Sequence, residues 1–282
     1  MTARLLEGRP VADAMWQSVA EQASAFAVQA GRPACLGLVG GADEAAAAYA
    51  RQIERQFGRR GLRVLHRLVD GPEIAGAVAT LSIDDTVDGI VLLTPLPAGT
   101  DPVAAALAIS PDKDVDGQHP MSLGRLAQRH GYFAPATALG GLRLLQYYEI
   151  PLEGTRAVVL GRSPVVGLPL ALLLLDSNAT VTVCHSRTPH LAEVARQADL
   201  LCVAVGRQGL VGPEFVKPGA VVLDFGTHPL PEGGMAGDVQ TASVAEAAGA
   251  ITPVPGGTGP TTVAVLAQQT LRAAEQLERT RH

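Results

Sequence analysis

The chain has 282 residues, of which 47% are hydrophobic and 17% charged, and its net charge is −5 at neutral pH. This composition supplies enough apolar side chains for a buried core and argues against disorder. No basic stripe interleaved with aromatic residues is present, so a nucleic-acid partner is not expected. The first residues carry charges where a signal peptide needs an apolar run, and no apolar stretch reaches the roughly 18 residues of a membrane span. We therefore expect a cytoplasmic protein without a membrane partner.

The three cysteines, Cys35, Cys184 and Cys202, lie far apart along the chain, and two of them fall within apolar runs. This distribution predicts reduced, buried thiols, as in cytoplasmic proteins. No metal site is expected, because closely spaced pairs of zinc ligands are missing from the sequence.

Short apolar runs alternate with helical patterns along most of the chain. An alanine-rich segment at Asp43–Arg60, closed by Gly61, predicts a helix. Alternation of strands and helices is typical of α/β proteins with parallel sheets. The predicted strands are Cys35–Val39, Arg63–Val69, Gly89–Pro95, Ala157–Leu160, Thr180–Cys184, Leu200–Val205 and Val221–Phe225.

Two clusters of loop-forming residues divide the chain. The first is Ser110–Pro120 and the second is Thr252–Pro260, after which a helical pattern runs towards the C-terminus. We expect an N-terminal α/β domain over residues 1–139, a nucleotide-binding domain over 140–259, and a C-terminal helix over 260–282 that returns to the first domain.

Ala157–Pro169 combines an apolar strand, a glycine turn and the start of a helix. Gly161 permits a tight turn, and Gly167 permits close packing or the approach of a phosphate, which the N–H groups at the helix start would face. Ser163 stands where the strict Gly-x-Gly-x-x-Gly pattern has its second glycine. The spacing alone therefore leaves an ordinary strand-to-helix turn open as the alternative.

The next predicted strand ends in His185-Ser186-Arg187, without a carboxylate. In NAD sites an Asp or Glu about 20 residues beyond the glycines accepts hydrogen bonds from the ribose. A carboxylate would repel a 2′-phosphate, whereas Arg162, Ser186 and Arg187 can donate hydrogen bonds to one. This pattern favours NADP over NAD, with a solvated polar strand end as the alternative.

The segment Asp112–Gly117 matches the first half of a calcium-binding EF-hand loop, but Leu123 stands where the loop needs a bidentate Glu. Calcium is therefore excluded. Composition favours a solvated turn. The alternative is that one carboxylate points into a cleft, where it could accept two parallel hydrogen bonds from adjacent N–H groups of a ring such as an aminopterin.

Several stretches together resemble the bifunctional methylenetetrahydrofolate dehydrogenase/cyclohydrolases, in the same order from Leu5 to about Ala274. The resemblance implies a homodimer of two-domain subunits, with an N-terminal folate-binding catalytic domain and a Rossmann-type NADP domain with a parallel sheet. It implies NADP-dependent oxidation of 5,10-methylenetetrahydrofolate to 5,10-methenyltetrahydrofolate, followed by hydrolysis to 10-formyltetrahydrofolate. The stretches that carry it are Asp112–Gly117, Gly161–Pro169, Asn178–Thr188 and Ile251–Val263, together with Asp88–Ile90, Pro95–Pro97 and Ala198–Gly206.

The resemblance also assigns roles to single residues. Tyr49 falls on a tyrosine beside the folate, and Asp116 falls on the aspartate that holds the pterin. The loop that lines the active site corresponds to Pro255, Gly256 and Gly257. The cofactor positions, among which Arg162 and Ser186 fall on the contacts to the 2′-phosphate, are Gly161, Arg162, Ser163, Val166, Gly167, His185, Ser186, Arg187 and Thr227.

Two candidate catalytic positions depart from the family: Ile53 stands in the place of a lysine and Leu93 in the place of a glutamine. Isoleucine and leucine cannot move a proton or position water. Gln52 shares a helix face with Tyr49, but an amide is not a base. We therefore expect dehydrogenase activity with weak or absent cyclohydrolase activity. The alternatives are a folate-dependent one-carbon transferase and a non-catalytic subunit that binds folate and NADP.

Overall fold

The structure is a computed structural model, and it describes residues 3–131 and 133–281. The chain forms two compact units. The six-stranded unit comprises Thr137–Thr262 and the described residues up to Asp13, and the three-stranded unit comprises Ala14–Ala136 and the described residues from Val263. None of the helices in this described part has the length and apolar character needed to cross a bilayer.

The strands are β1 (Arg4–Leu5), β2 (Cys35–Gly40), β3 (Arg63–Leu68), β4 (Gly89–Leu92), β5 (Arg156–Leu160), β6 (Thr180–Cys184), β7 (Leu200–Val203), β8 (Val221–Asp224), β9 (His228–Pro229), β10 (Met235–Ala236) and β11 (Ala250–Ile251). The helices are α1 (Gly8–Ala30), α2 (Glu44–Gly58), α3 (Ile74–Ile83), α4 (Pro102–Leu107), α5 (Pro120–Ala127), α6 (Ala136–Tyr147), α7 (Gly167–Asp176), α8 (Leu191–Ala195), α9 (Thr241–Val244) and α10 (Gly259–Arg281).

The six-stranded unit contains one parallel sheet in the order β1-β11-β8-β7-β5-β6. Its central strands are rich in valine and leucine and buried, as expected of strands covered on both faces. The chain passes from β5 to β6 on one side and then to β7 on the other. The carboxyl ends of β5 and β7 therefore form a topological switch point, where α/β sheets bind ligands.

The three-stranded unit contains a parallel sheet in the order β3-β2-β4, with the fully buried β2 in the middle. The chain again leaves the central strand towards one side and returns on the other, so the carboxyl ends of β2 and β4 form a second switch point. The segment after α4 runs beside β4, because the Ile90 N–H donates to the Lys113 carbonyl at 2.7 Å.

All seven predicted strands are present: Thr180–Cys184 agrees at both ends, and each of the other six differs at one end by one to three residues. The predicted alanine-rich helix is α2, which begins after Asp43, whose side chain accepts a hydrogen bond from the Ala46 N–H. Gly61, with φ of +75°, lies in the turn after the helix. The three cysteines are free and buried, as predicted.

The N-terminal segment differs from the predicted division, which placed it in the first domain. Arg4 and Leu5 form β1 and pair in parallel with Ala250 and Ile251 of β11. They thereby add an edge strand to the six-stranded sheet. A two-residue strand has too few positions to show an alternating pattern, so no pattern of residues signals it.

Candidate active site

The structure separates the three carboxylates of the acidic loop. Asp112 is exposed and contacts Arg125. Asp114 is fully buried, and its carboxylate accepts hydrogen bonds from the N–H groups of Gln118 and His119 and from the Ser122 hydroxyl. Asp114 therefore fixes the turn that leads into α5.

Asp116, the third carboxylate of the loop, lies near the end of β4. Its Oδ1 accepts from the Ala136 N–H at 2.8 Å, and its Oδ2 accepts from the Gln118 Nε2 at 3.0 Å. Removal from solvent, assisted by the charge of Asp114, raises its pKa to about 7 in spite of these two hydrogen bonds. Near neutral pH this group can therefore exist in either protonation state.

Tyr49 lies on α2 and is electrostatically coupled to Asp116. The residue is 39% exposed, but loss of solvent around the hydroxyl and, to a smaller extent, the charge of Asp116 raise the pKa of the phenol above its usual value. Tyr49 therefore stays protonated near neutral pH and can donate a hydrogen bond. The two residues that the resemblance assigns to the folate are thus electrostatically coupled in the structure.

Ile53 and Leu93 are interior residues, with 0% and 4% of their surface exposed. Ile53 shares the buried face of α2 with Ala50 and Phe57. Leu93 packs over the end of β2, because a methyl group added to Gly40 would lie 2.9 Å from the Leu93 Cβ. Gln52 is exposed, and the described hydrogen bonds do not link it to Asp116.

Gln118 is a neighbour of Asp116 that sequence reasoning missed. Its Nε2 donates both to Asp116 and to the carbonyl of Leu92, the last residue of β4, at 3.1 Å. A glutamine in a loop gives no signal by itself, since polar residues are common in loops.

The predicted nucleotide turn follows β5, and its glycines are required by close backbone contacts. Gly161 has φ of +114°, and a methyl group there would lie 2.1 Å from the Ala204 carbonyl oxygen. A methyl group at Gly167 would lie 2.3 Å from the Gly161 carbonyl oxygen. The turn after β5 thus packs against the segment after β7, at the switch point.

The start of α7 differs from the expectation that its N–H groups would face an anion. The N–H groups of Val166 and Gly167 donate to the Ser163 hydroxyl at 3.2 and 3.4 Å. Val166 immediately precedes α7 and Gly167 is its first residue, so the Ser163 hydroxyl holds the backbone that leads into the helix. Ser163, which replaces the second glycine, therefore has a structural role.

The polar end of β6 lies beside this turn, since the Gly161 N–H donates to the Cys184 carbonyl at 2.9 Å. His185 organises the following turn, because its Nδ1 accepts from the Arg187 N–H at 3.2 Å. Arg162, Ser186 and Arg187 are exposed there, on two turns that end adjacent paired strands. Thr227, after β8, is also exposed.

The loop with Pro255, Gly256 and Gly257 belongs to the six-stranded unit. The Gly256 carbonyl accepts from the Gly8 N–H at 2.8 Å. A methyl group on Gly8 would lie 1.8 Å from the Gly257 carbonyl oxygen, so the start of α1 and this loop are in direct backbone contact.

Two buried aspartates that the sequence did not reveal as special fix the loops at the carboxyl end of the six-stranded sheet. The Asp224 carboxylate accepts from the N–H groups of Gly226, Asp238 and Val239. The Asp238 carboxylate accepts from the N–H groups of Val205 and Gly206, and it contacts His228 Nε2 at 2.8 Å. Burial raises the pKa of Asp224.

Comparison with known proteins assigns both units. Residues 6–116 match the catalytic domain of the tetrahydrofolate dehydrogenase/cyclohydrolases, and residues 135–278 match their NAD(P)-binding domain. The chain belongs to the tetrahydrofolate dehydrogenase/cyclohydrolase family. The resemblance seen in the sequence is confirmed at the level of the family, and so is the two-domain α/β fold with a Rossmann-type domain.

Relatives in this family are similar over nearly their full length. The bifunctional protein FolD of Thermomicrobium roseum is 48% identical over 282 residues, which cover 99% of this chain and 97% of the relative. The crystal structure of the bifunctional FolD of Campylobacter jejuni has a TM-score of 0.92 at 35% identity and covers 97% of this chain and 99% of its own.

A third relative, the methylenetetrahydrofolate dehydrogenase-cyclohydrolase of Trypanosoma brucei, was solved in complex with NADP and an inhibitor. It has a TM-score of 0.92 at 34% identity and covers 99% of each chain. The names of the two solved relatives include both activities, and the name of the Thermomicrobium roseum relative says that it is bifunctional. They therefore give no support to the expectation that cyclohydrolase activity is weak or absent in this chain.

Proposed function

We propose that this chain is an NADP-dependent 5,10-methylenetetrahydrofolate dehydrogenase. The observation that carries the proposal is Asp116, a carboxylate that two hydrogen bonds fix at the switch point of the three-stranded sheet and that is electrostatically coupled to Tyr49, in a chain of this family. A single carboxylate can accept two parallel hydrogen bonds from the adjacent N–H groups of a pterin.

The residues of the six-stranded unit fit NADP. Close backbone contacts exclude a side chain at Gly161 and at Gly167. Without side chains at these positions, a pyrophosphate can approach the backbone of the turn closely. Arg162, Ser186 and Arg187 are exposed donors that would hold the 2′-phosphate. Bound NADP supplies the hydride acceptor. The NADP complex of the Trypanosoma brucei relative supports the same choice of cofactor.

The residues around Asp116 chiefly bind and orient the folate. The ionised carboxylate would accept from the pterin, and the Tyr49 hydroxyl, whose raised pKa keeps it protonated, would donate a hydrogen bond nearby. Transfer of a hydride requires proximity and orientation but no proton from the protein. The oxidation step therefore requires the folate to be bound and oriented, which these residues would provide.

Hydrolysis of the methenyl product is the second step of the reaction that the resemblance implies. We propose that it is slow, because Ile53 and Leu93 place two buried apolar side chains where the resemblance puts a lysine and a glutamine. The bifunctional names of the relatives argue in the opposite direction. The rate at which the protein forms 10-formyltetrahydrofolate, compared with the rate in buffer alone, decides between slow and full cyclohydrolase activity.

The proposal is tested by following NADPH formation by absorbance after 5,10-methylenetetrahydrofolate is added to the protein and NADP. Turnover is expected, and it is expected to be lost at low folate concentration in Asp116→Ala. A protein that binds both ligands by calorimetry but forms no NADPH would contradict the proposal and favour the transferase or the non-catalytic subunit. The homodimer implied by the resemblance is tested by light scattering.

A further inference from the structure

Gln118 joins the folate-binding carboxylate to the sheet. Both hydrogens of its side-chain amide are used, one towards Asp116 Oδ2 at 3.0 Å and one towards the Leu92 carbonyl at 3.1 Å. Its backbone N–H donates to Asp114 Oδ1 at 2.9 Å. Three hydrogen bonds therefore fix both the position of Gln118 and the plane of its amide.

This amide reaches the end of β4 from the loop and not from the strand. Leu93, the first residue after the strand, is apolar and packs over Gly40. The only side-chain amide that the described hydrogen bonds bring to Asp116 is that of Gln118. The carboxylate is thus held between a backbone N–H on one oxygen and the Gln118 amide on the other.

We propose that Gln118 is a positioning residue for folate binding, which holds the Asp116 carboxylate in the plane and the charge state that the pterin requires. This inference rests on the proposed function, because it assigns the pterin to Asp116. Gln118 acts through Asp116 and contacts no reacting atom itself.

Two effects follow from the hydrogen bond to Oδ2. It stops rotation of the carboxylate, so that the lone pairs not used by Ala136 and Gln118 keep one direction. It also favours the ionised form, against burial and the charge of Asp114, which favour the neutral form. Tyr49, on α2, is the other titratable group that is coupled to this carboxylate. Loss of the amide donor would leave Asp116 protonated over a wider range of pH.

The test compares Gln118→Met, which keeps the length but removes the donor, and Gln118→Glu, which keeps the shape but adds a charge. Gln22→Leu removes an exposed glutamine on α1 and serves as the matched control. Michaelis constants for 5,10-methylenetetrahydrofolate and for NADP, kcat and melting temperature are measured from pH 6 to 9. Binding of tetrahydrofolate is measured in parallel by calorimetry.

Gln118→Met is expected to raise the Michaelis constant for the folate about tenfold, because the Asp116 carboxylate then rotates more freely and is less often ionised. The Michaelis constant for NADP and kcat are expected to stay near those of the wild type, because the change weakens folate binding equally in the ground state and in the transition state. The midpoint of the pH dependence of folate binding is expected to move to higher pH. Gln118→Glu is expected to be the more impaired variant at pH 8, since two carboxylates then face each other.

The inference would be overturned if Gln118→Met had the same Michaelis constant for the folate and the same midpoint of the pH dependence of folate binding as the wild type. A large fall in melting temperature together with weaker binding of both the folate and NADP would also overturn it. So would a Gln118→Glu variant with wild-type kinetics, because each of these results indicates a packing role. A wild type that binds tetrahydrofolate but forms no NADPH refutes the proposed dehydrogenase and leaves the calorimetric comparison to decide on Gln118. A wild type that does not bind tetrahydrofolate refutes both.

Discussion

Asp116→Asn is expected to make the protein more stable above pH 5 while weakening folate binding. The pKa of Asp116 rises from 3.8 to about 7 on folding, chiefly because burial penalises the charged form. Since the folded pKa is the higher one, the folded state holds the proton more tightly than the unfolded state. The stabilisation from this proton is complete below pH 3.8 and is lost as the pH rises to 7.

The size of the effect follows from the same two values. At about 1.36 kcal/mol per pH unit, the difference between 3.8 and about 7 corresponds to about 4 kcal/mol. Asparagine cannot ionise and therefore avoids this loss. Its amide group would face the Gln118 amide, however, and one hydrogen bond worth about 1 kcal/mol would be lost at every pH.

Unfolding by urea, measured for both proteins from pH 4 to 8, checks this balance. Asp116→Asn is expected to be slightly less stable near pH 4 and about 3 kcal/mol more stable at pH 8, with equal stability between about pH 4 and 5. Asp112→Asn, which changes an exposed carboxylate in the same loop, is the matched control. Wild type and Asp116→Asn curves that stay parallel over this range would refute the reasoning.

Three further outcomes are expected. NADP should bind at least about tenfold more tightly than NAD by calorimetry, because Arg187 and its neighbours can pair with the 2′-phosphate; equal affinities would contradict this. The double change Ile53→Lys and Leu93→Gln should raise the rate of methenyltetrahydrofolate hydrolysis by up to about a hundredfold, with less from either change alone. Brisk hydrolysis by the natural protein would show that another residue does this work. Asp224→Ala should lower the free energy of unfolding by about 3 kcal/mol or more, since three buried N–H groups lose their acceptor, and an unchanged urea midpoint would count against this role.

The sequence predicted the strands well because buried parallel strands are short, apolar runs bounded by turn residues. The approximate ends of α2 could also be predicted, because aspartate commonly begins a helix and glycine commonly follows its end, as Asp43 and Gly61 do here. The strand β1 was missed, since its partner β11 lies 246 residues away and neither has a pattern of its own.

Site residues could be predicted where the residue type itself indicates the chemistry. They were missed where the role depends on contacts that only the fold creates. Asp116 was identified by resemblance, but sequence alone could not separate it from Asp114, which has the same type and a neighbouring position. Only the hydrogen bonds show that Asp114 fixes the turn. Gln118 was missed because its importance comes from contacts with Leu92 and Asp116, which no spacing rule reveals.

The contact between Gly8 and the loop at Gly256 and Gly257 has a consequence for the ends of the chain. Arg4 and Leu5 form the edge strand β1, and three residues later the backbone of Gly8 touches the loop that the resemblance assigns to the active site. A protein shortened to begin at Val11 would keep every candidate catalytic and cofactor residue. It would nevertheless leave one edge of the six-stranded sheet uncovered and remove the backbone neighbour that limits where this loop can move.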